Sequence, residues 1–394
     1  MAVVRGMTRV RSQSPPHCLS LNSQQKCFFT MFRNILIGIS AALILQHILS
    51  VIYSLGFHKR AYNHRPGSCR VVTGIDSGSE DIHVLRNGLA LITSGIDLTP
   101  LGHLMDPSGL TWKGRIYLFD FKQPNANVTE LPILGSFDHS DFRPHGISVW
   151  EEETQTTVFV VNHKQHREAI EVLSLNQDNK SLQYLYSITD PLMRSVNDVV
   201  AVGSNSFYFT NDGYNNQLFK RFLERFLKFP WGNVIYYDGD AGRGQVVVSR
   251  GLEPNGINRS PDGRYIYVSS PIVGTVTVYE QQADHALQPI QVIDLSTSPD
   301  NIYVDSTSGD LWLGCHMIGY QSMLHFQNFT QPAASQVLHI QLNSKVAPYT
   351  YDIREAYVDD GRQVSGSSVA AYYNKQLLIG SVAHKLAHCQ VVAF

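Results

Sequence analysis

The chain has 394 residues, 43% of them hydrophobic and 16% charged, with a formal net charge of -2 at pH 7. That is apolar material enough for one large core and requires no second domain. So little charge, so evenly balanced, excludes an electrostatic nucleic-acid partner.

Residues 1–75 contain no Asp or Glu. Within them Ile35 to Phe57 is mostly apolar, interrupted by Gln46 and His47, and is long enough to span a bilayer. Lys26 and Arg33 precede this run and Lys59, Arg60 and Arg65 follow it, so flanking charge alone does not orient it. The absence of a small-x-small cleavage site near Leu55 favours a retained signal-anchor over a removed signal peptide. The expected organisation is a structureless cytosolic tail over residues 1–34, a transmembrane signal-anchor over 35–57 and one body over 58–394.

Along the body, a short apolar, alternating stretch opens six times on a polar head and leads into a second such stretch. The heads are Glu80-Asp81, His145, Asn197-Asp198, Asn255, Asp300-Asn301 and Ser367-Ser368, recurring roughly every 45 to 70 positions, the period range of propeller blades. Further strand-like runs lie between them, at Arg115–Phe119, Ile170–Leu175, Val234–Tyr237, Val276–Tyr279 and Val337–Ile340, with turn signals at Asn87-Gly88 and Pro261-Asp262-Gly263. The pattern predicts an all-β, six-bladed propeller whose inner strands bring the heads to one axis. Helical pattern is confined to the anchor, to 98–106 and to 216–229, too little for alternating strands and helices. In the last of these, Lys220, Arg221, Arg225 and Lys228 interleave with Phe219, Phe222 and Phe226, the pattern of an amphipathic helix that covers one propeller face or touches a membrane.

Cys69 precedes the first repeat and Cys389 follows the last, so a disulfide between them would tie the ends of the ring across about 320 residues. Such a bond needs an oxidising compartment. Sequons at Asn127, Asn179, Asn258 and Asn328 agree with a lumenal or extracellular body held to the membrane of the endoplasmic reticulum or the cell surface.

The heads also carry chemistry. Glu80, Asp81, Asn197, Asp198, Asn255, Asp300 and Asn301 are the oxygen donors that hard cations such as calcium want, and two divalent ions would balance their carboxylates. Taken singly, each Asn-Asp pair is an ordinary turn residue pair, but recurrence at one place in the repeat favours ligands. Zinc is disfavoured, because the donors are oxygens rather than Cys and His. His145 heads its repeat and His163 ends the second strand of the same repeat, where antiparallel pairing puts both at one edge of the blade as a base and its partner. His316 ends the corresponding strand of another repeat. No Gly-x-Ser-x-Gly elbow is present, leaving a serine-hydrolase triad without a foothold.

Several motifs in order resemble the paraoxonase family of calcium-dependent lactonases and arylesterases, over roughly residues 66–390. They include Gly78-Ser79-Glu80-Asp81, Pro144-His145-Gly146-Ile147-Ser148, Val161-Asn162-His163, Asn197-Asp198-Val199-Val200, Asn255-Gly256-Ile257-Asn258, Asp300-Asn301-Ile302 and Gly314-Cys315-His316. The resemblance implies a six-bladed propeller with two central calcium ions and ends closed by Cys69 and Cys389. It implies a catalytic ion on Glu80, Asn197, Asn255, Asp300 and Asn301, and a structural one on Asp81, Asp198 and the Ile147 carbonyl. His145 would be the general base, His163 its partner, and Asp300 a possible sharer of the base role; the substrate would be a small lactone or aryl ester. The chain departs from vertebrate members at Glu253-Pro254, where they carry an aromatic residue, and at Gly213, where they carry His. An acidic pocket wall would disfavour anionic substrates. The rival expectation is a membrane-anchored protein that assists assembly of other membrane proteins, with calcium serving only the fold.

Overall fold

The computed structural model describes residues 21–75, 77–96, 113–215 and 217–392, in two compact units, Met1–Val51 and Ile52–Phe394. Residues 1–20, including Cys18, and the segment 98–106 read as helical lie outside the described residues.

The first unit is helical. Leu21–Ser54 forms one α-helix, and within it Phe28–Ser54 is apolar and long enough to cross a membrane. The helix therefore takes in residues 21–34, expected to be unstructured, and it stops short of Phe57. Gly56 explains the stop: at φ 73° it occupies the left-handed region in which glycine ends a helix without a Cβ penalty.

The second unit is the expected propeller. Six antiparallel sheets follow one another along the chain, five of four strands and one of five. Their innermost strands are Ile82–Val84, Pro144–Glu151, Val196–Ala201, Ile257–Arg259, Ser298–Val304 and Ser367–Tyr373, so each polar head opens or immediately precedes one of them. Successive inner strands pack side by side, and the last packs against the first, which closes the ring. The strand-like runs between the heads are the third strands of their blades. The core is divided among the blade interfaces, where residues such as Phe159 and Phe207, or Trp312 and Tyr372, meet across neighbouring sheets at 5.3 and 4.7 Å between ring centres.

The final blade is built from both ends of the body. Cys69–Val72 pairs antiparallel with Leu386–Gln390 in the register Cys69 to Cys389, and those two cysteines are joined, as the sequence led us to expect. The helix at 216–229 is present as Leu218–Phe226. A second short helix, Gly319–Gln327, was not foreseen; its sequence offers no capping side chain and no acidic first turn to mark a start.

Candidate active site

The inner strands deliver the heads to the axis as buried side chains: Glu80, Asp81, Asn197, Asp198, Asn255, Asp300 and Asn301 are each no more than 7% exposed. They fall into two tiers with different bonding. In the first tier, each carboxylate oxygen of Asp81 and Asp198 accepts one backbone N–H. The Asp81 carboxylate accepts from the N–H of Ile82 at 2.8 Å in its own blade and of Ile147 at 2.8 Å in the next. Asp198 repeats this with Val199 and Ile257, both at 2.7 Å. Gly146 permits the close approach, since a Cβ there would overlap Asp198, and Gly256 does the same beside Asp300.

The second tier is short of partners. Oε2 of Glu80 and the Oδ1 atoms of Asn197, Asn255 and Asn301 are buried oxygens with no hydrogen-bond donor. The surroundings hold their carriers in place. The Asn301 amide donates to the Glu80 carbonyl and to its Oε1 at 3.1 and 2.8 Å, the Ser368 hydroxyl donates to the same carbonyl at 2.6 Å, and Thr210 donates to the Asn255 carbonyl at 2.6 Å. Unsatisfied buried oxygens cost roughly 1–3 kcal/mol each, and carboxylate and amide oxygens of this kind could hold a hard, oxygen-ligated cation. Because amides supply most of them, no group of three His, Cys, Asp or Glu side chains stands out as a metal cluster among the described residues. The two first-tier carboxylates repel one another. Burial, reinforced by Glu80, pushes the Asp81 carboxyl up to about 7, and burial with Asp81 nearby raises Asp198 well above the usual carboxylate range.

His145 and His163 meet as the hairpin reading required. Nδ1 of His145 lies 2.9 Å from Nε2 of His163, and Nε2 of His145 faces Oε1 of Glu80 at 3.3 Å. Burial opposes a charge on His145, but Glu80 outweighs it, with Asp300 adding, and holds the imidazole up to about 9. On the other side of the oxygen set, Nε2 of His316 donates to Asp300 Oδ2 at 2.9 Å. Cys315 is a free, fully buried thiol that burial pushes up, out of range for a nucleophile.

Three features of the site were not foreseen from the sequence. Ser368, in the head to which no role was assigned, anchors the Glu80 backbone. Glu168 accepts from Nδ1 of His163 at 2.7 Å. The third is an ion network on the helix Leu218–Phe226: Arg221 pairs with Asp212, and Arg225 reaches Asp212 at 3.5 Å and Glu253 at 2.7 Å. Both departures from the vertebrate pattern belong to this network, because a Cβ at Gly213 would collide with the Arg221 guanidinium. Burial alone would raise Asp212, yet Arg221 and Arg225 pull it down to about 2. Glu253 is thus a paired group, which removes the free negative charge on the pocket wall that its sequence position suggested.

The profile of the Arylesterase family matches residues 63–391. The chain is 37% identical over 357 residues to the serum paraoxonase/arylesterase 2 of Gallus gallus, covering 90% of this chain and 98% of that one. It is likewise 37% identical over 359 residues to the serum paraoxonase/arylesterase 1 of Homo sapiens, with the same coverage. Among solved structures, the luciferin-regenerating enzyme aligns over 83% of this chain and 96% of its own with a TM-score of 0.50; at 11% identity this is a likeness of fold.

Proposed function

Because the chain belongs to the arylesterase family, we propose that it is a calcium-dependent hydrolase of lactones and aryl esters working at the propeller axis. The observation that carries this reading is the His145–His163 pair set against Glu80, whose Oε2, like Oδ1 of Asn197, Asn255 and Asn301, is a buried oxygen without a donor.

Glu80, Asn197, Asn255, Asp300 and Asn301 would hold a catalytic calcium, and Asp81, Asp198 and the Ile147 carbonyl a structural one. When bound, calcium supplies the positive charge that polarises a substrate carbonyl and balances the oxyanion formed from it. The chain's own residues do the rest. With Glu80 engaged as a ligand, Nε2 of His145 is the basic atom facing the oxygen set, and it takes a proton from the attacking water. His163 orients that imidazole through Nδ1 of His145 and passes the proton outward, and Asp300, which accepts from His316, would share the base role. Asn301 and Ser368 keep Glu80 aimed inward while this happens.

The apolar helix would serve as a signal-anchor, with residues 1–34 cytosolic, 35–57 in the membrane and 58–394 lumenal or extracellular, where the Cys69–Cys389 bond persists. Asn127 and Asn179 are exposed outside the strands and would carry glycans, as would Asn328, half-buried at the end of the helix Gly319–Gln327. The Asn258 amide nitrogen instead donates to the Ile302 carbonyl at 2.8 Å, and modification there would break that bond.

The test is hydrolysis of phenyl acetate and δ-valerolactone by the full chain in detergent micelles, before and after removal of calcium by a chelator. Chelation should abolish turnover, and calcium should restore it. His145→Gln should lower it on the order of a hundredfold in a folded protein. Turnover that survives chelation sinks the metal reading, and turnover that survives His145→Gln sinks the base.

A further inference from the structure

His163 has two ring nitrogens and the reaction as written uses one, Nε2, toward His145. The other, Nδ1, lies 2.7 Å from Oε2 of Glu168. Strand geometry creates this contact. Thr156–Lys164 and Arg167–Asn176 form a tight hairpin in which His163 and Glu168 are cross-strand partners, so their side chains emerge next to each other on one face. Glu168 is largely covered, at 14% side-chain exposure, yet it lines an open cavity of about 820 Å³ with Lys164, Arg167, Arg194 and Tyr214. The row therefore runs from the buried Glu80 through His145 and His163 to a carboxylate at the edge of solvent.

We infer that Glu168 is a positioning residue for the base pair, and the outlet of its proton. A carboxylate only accepts, so His163 must carry its proton on Nδ1 and present a bare Nε2. With Glu80 engaged as a cation ligand and no longer accepting from His145, that Nε2 accepts from Nδ1–H of His145, which leaves the lone pair of His145 on Nε2, facing the oxygen set. On reaction, the water proton bonds to Nε2 of His145, the Nδ1 proton of His145 moves to Nε2 of His163, and the Nδ1 proton of His163 moves to Glu168. One proton leaves through Glu168 into the cavity; Nε2–H of His145 then protonates the departing oxygen of the substrate, and the relay runs in reverse with a proton drawn from the cavity through Glu168, which restores the starting tautomers. Without Glu168, His163 is free to place its proton on Nε2, where it opposes the proton on His145 and turns the wrong tautomer toward the substrate.

This inference rests on the hydrolase reading above, and the experiment separates the two. Glu168→Gln keeps the size and polarity of the side chain but offers an amide that no longer enforces one tautomer. In the calcium-loaded full chain, with phenyl acetate and δ-valerolactone, it should lower kcat by about 10- to 100-fold with KM unchanged. Introduced into His163→Gln, it should cost nothing further. Nitrogen-15 NMR of the histidines should show the His163 Nδ1–H tautomer in the wild-type chain and its loss in Glu168→Gln, whether or not the protein turns over. Equal kcat in wild type and Glu168→Gln, or an unchanged His163 tautomer, overturns the role of Glu168 and leaves the hydrolase reading intact. A wild-type chain inactive on both substrates overturns the hydrolase reading, and the proton outlet with it, while the NMR comparison alone decides the positioning role.

Discussion

Reduction of the Cys69–Cys389 bond isolates one contribution to the ring's stability. The bond spans 320 residues, and for a loop of that length the chain-entropy relation gives about 5 to 6 kcal/mol of unfolded-state entropy restored on reduction. The folded state loses little in exchange, because Cys69–Val72 keeps its ladder with Leu386–Gln390 whether or not the sulfurs are joined. Cys315 is buried and already reduced, so a reductant acts on one bond among the described cysteines. The measurement is guanidinium unfolding of the oxidised and reduced full chain in detergent, followed by tryptophan fluorescence. Trp312 reports on closure directly, since its ring stacks on Tyr372 of the closing blade at 4.7 Å. A loss near 5 kcal/mol is expected. Agreement between the two forms to within about 1 kcal/mol would refute the reasoning and assign ring closure to strand pairing alone.

Two further outcomes follow from the same geometry. His388 is buried opposite Arg70 in the closing strands, and burial, with Arg70 adding, pulls its imidazole down to about 4. Unfolded His binds protons below about 6.5 and the folded form resists them to about 4, so stability should fall as pH drops through that window, by up to about 3 kcal/mol from this residue; thermal melts at pH 7 and pH 4.5 should differ less in His388→Gln. Asn301→Ala removes an undonated oxygen and both amide bonds to Glu80, and should raise the calcium needed for half-maximal thermal stabilisation by about 10- to 100-fold; an unmoved calcium midpoint would take Asn301 out of the ligand set.

The sequence was most legible where a pattern repeats. Polar heads on alternating apolar strands announced both the blade count and the axis, because the period of a propeller forces equivalent positions to converge, and every head but the half-buried His145 arrived there buried. The hairpin argument that paired His145 with His163 needed only strand direction. That argument would also have reached Glu168, since a tight turn after Lys164 places residues 163 and 168 opposite each other, had the outer face of the second strand been followed as closely as its inner end. Other features were closed to it. The pairing of Arg225 with Glu253 joins a helix to a loop whose relative placement no local pattern states, so Glu253 looked like a free charge on the wall. The helix Gly319–Gln327 lacks the caps that would announce it and forms in the context of the blades around it.

The way Asp81 and Asp198 each grip two blades sets a constraint on how such a chain can change over time. Their carboxylates fix the spacing of neighbouring inner strands through backbone N–H groups, so replacing either one disturbs the ring before it disturbs any reaction. His163 and Glu168 bind within one blade, and His145 reaches the neighbouring blade only through the Glu80 side chain. A descendant that abandoned hydrolysis would be free to shed those three while keeping both aspartates. On the proposed mechanism, the aspartates would mark an intact propeller and the histidine row would mark the chemistry.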